Sequence, residues 1–162
     1  MPQHSHPSTE YARRVFNEQY GRYETYYIVE SYENGSAMLG FNVDQARREQ
    51  WVGENLRARP KVIKWTPDYY IEQFSSLPEM PFHIEIFTFD EFCEYSTEGK
   101  YMNVVTLTVG KNITIRSKSD HTRYTTIDLY QAAAIPADFG DYEFVNNSEG
   151  RCTVMLIRMK KG

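Results

Sequence analysis

The chain has 162 residues, with 18 Lys and Arg against 22 Asp and Glu and a net charge of −4, enough sequence for one domain with a sizeable buried core. Its 13 Tyr, 9 Phe and 2 Trp exclude a disordered chain, because disordered segments are poor in aromatic residues. The acidic balance without a basic block argues against a nucleic-acid-binding protein, which needs clustered Lys and Arg to neutralise phosphates.

The N-terminal segment shows no apolar run after a positively charged region, and no stretch approaches the ~18 apolar residues of a membrane span. Cys93 and Cys152 are too few and too far apart for a disulfide framework or a Cys-based metal site. We therefore expect a cytoplasmic protein with two reduced thiols and no membrane partner.

The first third of the chain combines predicted helices and strands. Ser8 or Thr9 is a suitable N-cap for a short helix that ends at Gly21. Strands are predicted over Tyr26 to Tyr32 and Met38 to Val43, because the intervening Asn-Gly favours a tight turn.

Asp44 then precedes the strongest helical segment, Gln45 to about Arg57, which Pro60 ends. Lys61 to Trp65 is predicted as a short strand. From there to Pro81 we expect irregular structure, because three prolines interrupt the segment.

From Phe82 onward the pattern is typical of β-structure. Apolar and polar residues alternate over Asn103 to Val109 and again over Ile113 to Arg116. Cys152 to Met159 is apolar on both faces, which indicates a strand covered on both sides. Several short strands separated by turns predict a sandwich or barrel.

His83 and Glu85 fall on one face of the predicted strand Phe82 to Phe89. One imidazole and one carboxylate are too few ligands for zinc, so we interpret them as a hydrogen-bonded pair at the edge of the core. The carboxylates Asp90, Glu91 and Glu94 are interpreted as a solvated edge. No phosphate-binding loop and no nucleophile elbow is present.

The segment Ala133 to Asn146 resembles the last conserved element of cupin domains, P-x-G-x-x-H-x-x-x-N. Its histidine position falls on Tyr142 when counted back from Asn146 and on Asp141 when counted forward from Pro136. The glycine six places before the proline is replaced by Tyr130. The resemblance implies a cupin that has lost its metal site.

Within the cupins, the stretches Phe82 to Phe89, Gly99 to Gly110 and Ile135 to Asn146 resemble the C-terminal domain of class I mannose-6-phosphate isomerases. In that family zinc and most of the sugar-phosphate site lie in an N-terminal cupin that has no counterpart in this sequence. The resemblance therefore assigns no catalytic residue, metal ligand or cofactor to this chain, and zinc only to the parent family. It leaves open whether the chain is a fragment of a larger isomerase or a stand-alone relative.

These observations predict a mainly β fold, a cupin-like double-stranded β-helix (jelly roll) with short helices in the N-terminal third. Residues 1–81 are expected to form an extension packed on a β-barrel of residues 82–162, as a single domain overall. The expected function lies in carbohydrate metabolism: supporting an isomerase active site or binding a sugar or sugar phosphate, without catalysis by this chain alone. His83, Glu85 and Tyr142 are the candidate ligand-binding residues.

Two alternatives stay open. One is a structural or oligomerisation module, such as a homodimer, that uses exposed aromatic residues as its interface. The other is an active metallo-cupin that uses His83, Glu85 and a third ligand not evident in the sequence.

Overall fold

The computed structural model describes residues 6–22, 28, 30, 32–33, 60–74, 81–97 and 101–159. The chain divides into two compact units, residues 1–38 and 39–162. The predicted helix Gln45 to Arg57 and strand Met38 to Val43 lie outside the described residues, as does most of the predicted strand Tyr26 to Tyr32.

The first unit contains the short helix predicted near the N-terminus. Helix α1 (Thr9–Tyr11) continues into a π-helical turn over Ala12–Phe16. The Ser8 side chain caps it by accepting a hydrogen bond from the backbone N–H of Tyr11 at 3.3 Å. The turn ends at Asn17, which takes a left-handed conformation with φ 56°, so the helix stops before the predicted end at Gly21. Asparagine tolerates this conformation because its side chain can hydrogen-bond locally.

The described part of the second unit contains ten strands in two antiparallel sheets. The strands are β1 (Pro60–Trp65), β2 (Tyr69–Phe74), β3 (Phe82–Phe89), β4 (Phe92–Tyr95), β5 (Asn103–Val109), β6 (Asn112–Ser117), β7 (Tyr124–Asp128), β8 (Ala132–Ile135), β9 (Tyr142–Asn146) and β10 (Cys152–Met159). The six-stranded sheet has the order β1-β2-β3-β10-β5-β8, and the four-stranded sheet has the order β4-β9-β6-β7.

Strand β2 corrects the expectation of irregular structure between Trp65 and Pro81. Thr66 fixes the turn after β1, because its hydroxyl donates to the Tyr69 carbonyl at 2.9 Å and accepts from the Tyr69 N–H at 3.0 Å. The chain then returns along β1 and pairs with β3 on its other side. The prolines lie before and after this strand rather than within it. The sequence prediction was wrong because it took them to interrupt the segment.

The predicted fold class is confirmed: the chain is mainly β, and strands β3 to β10 form a jelly roll. Successive strands alternate between the two sheets except for the hairpin β6–β7, as expected for two interlocked Greek keys. β1 and β2 extend the six-stranded sheet beyond β3. The division predicted at residue 81 stays a prediction.

The expected β-barrel is wrong in one respect. Among the described residues, no strand ladder joins the two sheets, whereas a barrel closes its hydrogen bonding all the way round. Each sheet instead keeps its own edge strands, and the sheets are held together by the side chains packed between them.

The core is this layer between the sheets, where residues of both are fully buried. Phe87 from the six-stranded sheet and Phe144 from the four-stranded sheet meet edge to face, with ring centroids 5.5 Å apart. β10 lies between β3 and β5. Its alternate residues Cys152, Val154 and Leu156 are buried in this layer. On the opposite face Met155 and Ile157 are half-buried and Met159 is exposed, so the second predicted apolar face is only partly covered.

Candidate functional site

Strand register places polar side chains together at one end of the layer between the sheets. Arg158 of β10 lies directly between His83 of β3 and Asn103 of β5. One row further in, Glu85 pairs with Gln73 of β2. Directly paired residues of an antiparallel sheet point to the same face. We call this group the polar end: Gln73, His83, Glu85, Asn103, Arg158 and, from the facing sheet, Tyr142.

Glu85 is the central charge of the polar end. Its side chain is only 4% exposed, yet its Oε1 accepts hydrogen bonds from Gln73 Nε2 at 3.0 Å and Arg158 Nη2 at 3.1 Å. The Arg158 side chain is 38% exposed and carries the positive charge toward solvent. This pairing explains how a carboxylate is tolerated next to the core, since burial without a partner is costly.

Tyr142 reaches the polar end from β9 in the facing sheet. It is fully buried and packs against Tyr95 and Phe139, with ring centroids 5.4 and 6.1 Å away. Burial raises the pKa of its phenol far above the usual range, the nearby Tyr95 and the Glu85 carboxylate raise it further, and the Asn103 side chain offsets a small part. Tyr142 is therefore a neutral hydroxyl beside Glu85.

Several polar atoms of this group lack a hydrogen-bond partner among the described residues. They are Asn103 Oδ1, Arg158 Nε and the Tyr142 hydroxyl, which the Asn103 side chain approaches without the geometry of a full hydrogen bond; all three atoms are buried. Asn103 is only 1% exposed. Because buried polar groups are nearly always hydrogen-bonded in native proteins, three such atoms at one place indicate a partner beyond the described residues, such as ordered water or a ligand.

This donor set does not suit zinc, the metal that the resemblance assigns to the parent family. Glu85 is already engaged by Arg158 and Gln73. Apart from His83, the other members are amides, a phenol and a guanidinium, which are not the usual ligands of zinc. In the described part of the chain, no three His, Cys, Asp or Glu residues lie close enough to share a metal ion.

Aromatic rings close the space below the polar end. Phe87 contacts Tyr95 and Phe144, each with centroids within 5.5 Å, and Phe89 stacks on Phe144. We call this region the apolar interior; its fully buried side chains are Phe87, Phe89, Cys93, Leu107, Ile113, Ile115, Phe144, Cys152 and Val154. The polar atoms between the sheets are thus concentrated at the polar end.

The predicted carboxylate cluster lies elsewhere, around a recess of about 540 Å³ lined by residues of β4, β6, β9 and the loops beside them. Arg151 binds both oxygens of Asp90 at 2.9 and 3.0 Å and lowers the pKa of that carboxyl. Glu94 pairs with Lys118 at 2.9 Å. Asp90 and Glu94 are thus paired with different cations rather than with each other.

Asn146, the last residue of the cupin-like element, has a structural role at this recess. Its Nδ2 donates to the carbonyls of Asp90 and Gly150 at 2.7 and 2.6 Å. Its Oδ1 accepts from the backbone N–H and hydroxyl of Ser148, both at 2.9 Å. One side chain thereby holds two loops together.

The structure brings the three predicted residues His83, Glu85 and Tyr142 to the same end of the jelly roll, since they line its inner surface from facing sheets. Sequence reasoning missed Asn103, Arg158 and Gln73. Asn103 lies on the same inward face of its strand as Val105 and Leu107, and Arg158 on the same face as Val154 and Leu156. A polar residue in a series of alternate apolar residues is therefore the sequence pattern that could have identified them.

No helix in the described part of the chain is both long and apolar enough to cross a bilayer. No family model and no curated protein matches the sequence. Among solved structures, AerE from Microcystis aeruginosa is similar at 14% identity with a TM-score of 0.51, over 65% of this chain and 47% of that one.

Two further structures are similar at lower TM-scores. An HTH_3 family transcriptional regulator from Vibrio cholerae has 9% identity and a TM-score of 0.47, over 59% of this chain and 52% of that one. A cupin 2 conserved barrel domain protein from Rhodopseudomonas palustris has 11% identity and a TM-score of 0.47, over 64% and 72%. This chain thus spans about half the length of AerE and of the regulator. Cupin-2 structures are among the similar solved structures, and at these identities the likeness concerns the fold alone.

Proposed function

We propose that this chain is a cupin-like binding module that holds a small polar molecule at the polar end, through His83, Glu85 and Tyr142, without catalysing a reaction by itself. One observation carries the proposal: buried hydrogen-bonding atoms without partners stand beside a buried carboxylate. A pocket with a few convergent polar groups over an apolar floor is the usual form of a small-molecule site.

A sugar or sugar phosphate is the ligand class that the resemblance to mannose-6-phosphate isomerases implies. The polar end offers hydroxyl, amide, carboxylate and guanidinium groups, which suit a hydroxyl-bearing ligand. The isomerase relationship and a place in carbohydrate metabolism stay predictions, and no structural neighbour points to them.

Calorimetric titration with D-mannose and with D-mannose 6-phosphate tests the binding function. We expect at least one of them to bind, and Tyr142→Phe to weaken that binding about tenfold by removing one buried hydrogen bond. Tyr124→Phe, at a 63% exposed tyrosine, is the matched control and should bind like the wild type. Absence of binding by both compounds, or an unchanged affinity in Tyr142→Phe, would refute the proposal.

A homodimer is the second candidate, and strand β1 favours it. Among the described strands, β1 lies at the edge of the six-stranded sheet, and all six of its residues are exposed, with Trp65 at 71% and Val62 at 58%. An exposed apolar edge strand is a template for pairing with another chain. Lys61 and Lys64 on the same strand, and a register shift between Val62 and Lys64, oppose such pairing, so we place this function second.

Light scattering at tens of micromolar, roughly where modest interfaces populate, tests the dimer. We expect a dimer mass for the wild type and a monomer mass for Trp65→Ser. The control variant Tyr124→Ser replaces an exposed aromatic residue of the other sheet and should leave the mass unchanged. A monomer mass for the wild type would exclude this candidate.

A further inference from the structure

The chemistry of the unpartnered atoms specifies the ligand more closely; this inference rests on the proposed binding function. Asn103 Oδ1 can only accept a hydrogen bond, Arg158 Nε can only donate one, and the Tyr142 hydroxyl can do either. A hydroxyl group both donates and accepts, so one hydroxyl or two neighbouring hydroxyls of a ligand can satisfy all three. A purely anionic group could not serve Asn103 Oδ1.

The charge balance of the polar end also favours an uncharged ligand. The Arg158 guanidinium is already bound to Glu85 through Nη2 at 3.1 Å, so these two charges cancel. A phosphate placed here would lie near the Glu85 carboxylate and would need a compensating cation for its own desolvation. The one guanidinium that the described residues supply to this group is engaged.

We propose that the polar end selects an uncharged, polyhydroxylated small molecule, a free sugar or polyol rather than its phosphate ester. Asn103, Arg158 and Tyr142 are the residues that determine this specificity. Asn103 accepts from a ligand hydroxyl, Arg158 Nε donates to one, and Tyr142 completes the set from the facing sheet. Glu85 holds Arg158 in place and neutralises its charge, so no net positive charge is left for an anion.

The test compares three probes on the whole chain by calorimetric titration: D-mannose, D-mannitol and D-mannose 6-phosphate. We expect at least one neutral probe to bind about tenfold or more tightly than the phosphate ester, since the ester adds an unpaired charge. Asn103→Ala should weaken binding of the neutral probe about tenfold, because it removes the acceptor for the ligand hydroxyl. The matched control is Asn147→Ala, at an exposed asparagine whose side chain bonds Asn112 and Thr114.

The outcomes separate the two proposals. Tighter binding of D-mannose 6-phosphate overturns the selection of neutral ligands and leaves the binding function standing. Binding by none of the probes, with the three buried atoms served by water, overturns the binding function itself. If Asn103→Ala proves unstable, Tyr142→Phe takes its place, and an unchanged affinity in a folded variant of either kind overturns the residue assignment.

Discussion

The two regions of the layer between the sheets are built from the same strands and differ in how their polar atoms are satisfied. In the apolar interior, side chains such as Phe89, Leu107 and Val154 are fully buried and contribute no polar atom to satisfy. At the polar end, two or four residues away along the same strands, Glu85 and Arg158 neutralise each other while Asn103 and Tyr142 keep unpartnered atoms. The first region packs apolar side chains, whereas the second keeps polar atoms available for hydrogen bonding.

The largest expected effect concerns the apolar interior and is the low reactivity of a cysteine thiol buried there. Cys93 is fully buried in the apolar interior, and burial raises its pKa from 9.0 to about 12. Since the thiolate is the reactive species, this rise of three units lowers the reactive fraction at pH 8 about a thousandfold. We expect iodoacetamide to leave Cys93 unlabelled in the folded protein and to label it in urea, with peptide mass spectrometry identifying the modified cysteine. Labelling of native Cys93 at the rate of a free thiol would show that this region is open to solvent.

A smaller effect distinguishes two inward residues of one strand. Phe144→Ala removes a ring that packs against Phe87, Phe89 and Tyr142 and should lower the free energy of unfolding by about 3–5 kcal/mol. Tyr142→Phe, two residues earlier in β9, removes a buried hydroxyl without a partner and should leave stability unchanged or raise it by up to about 1 kcal/mol. Urea unfolding monitored by circular dichroism measures both. A destabilisation of several kcal/mol by Tyr142→Phe would mean that the hydroxyl is hydrogen-bonded in the folded protein.

Much of the fold was predictable because alternation encodes burial. Side chains alternate between the two faces of a strand. This alternation predicts that Val105 and Leu107 point inward together, and it predicts the two apolar faces of β10. The polar end was only partly predictable, because its members are separated by up to 85 positions, as Gln73 and Arg158 are. These residues are brought together by the order of the strands in the sheet, and local sequence patterns do not predict that order.

Tyr130 shows what the departure from the cupin signature means physically. Where the signature has glycine, Tyr130 takes φ +65° and its N–H donates to the Leu107 carbonyl at 2.8 Å. Glycine adopts this conformation easily, whereas a residue with a Cβ does so at a cost of roughly 1–2 kcal/mol. The mismatch with the signature thus places a strained residue in the turn between β7 and β8.

The central place of β10 in the six-stranded sheet has a consequence for how the protein forms. β10 follows all the other described strands along the chain, yet both β3 and β5 pair with it, so neither gains its neighbour on that side until residues 152–159 are available. Contacts across such long sequence separations slow folding, because the entropy of closing the intervening chain is lost before the contacts form. During synthesis on the ribosome, the sheet that carries most of the polar end is therefore completed only after its last strand emerges.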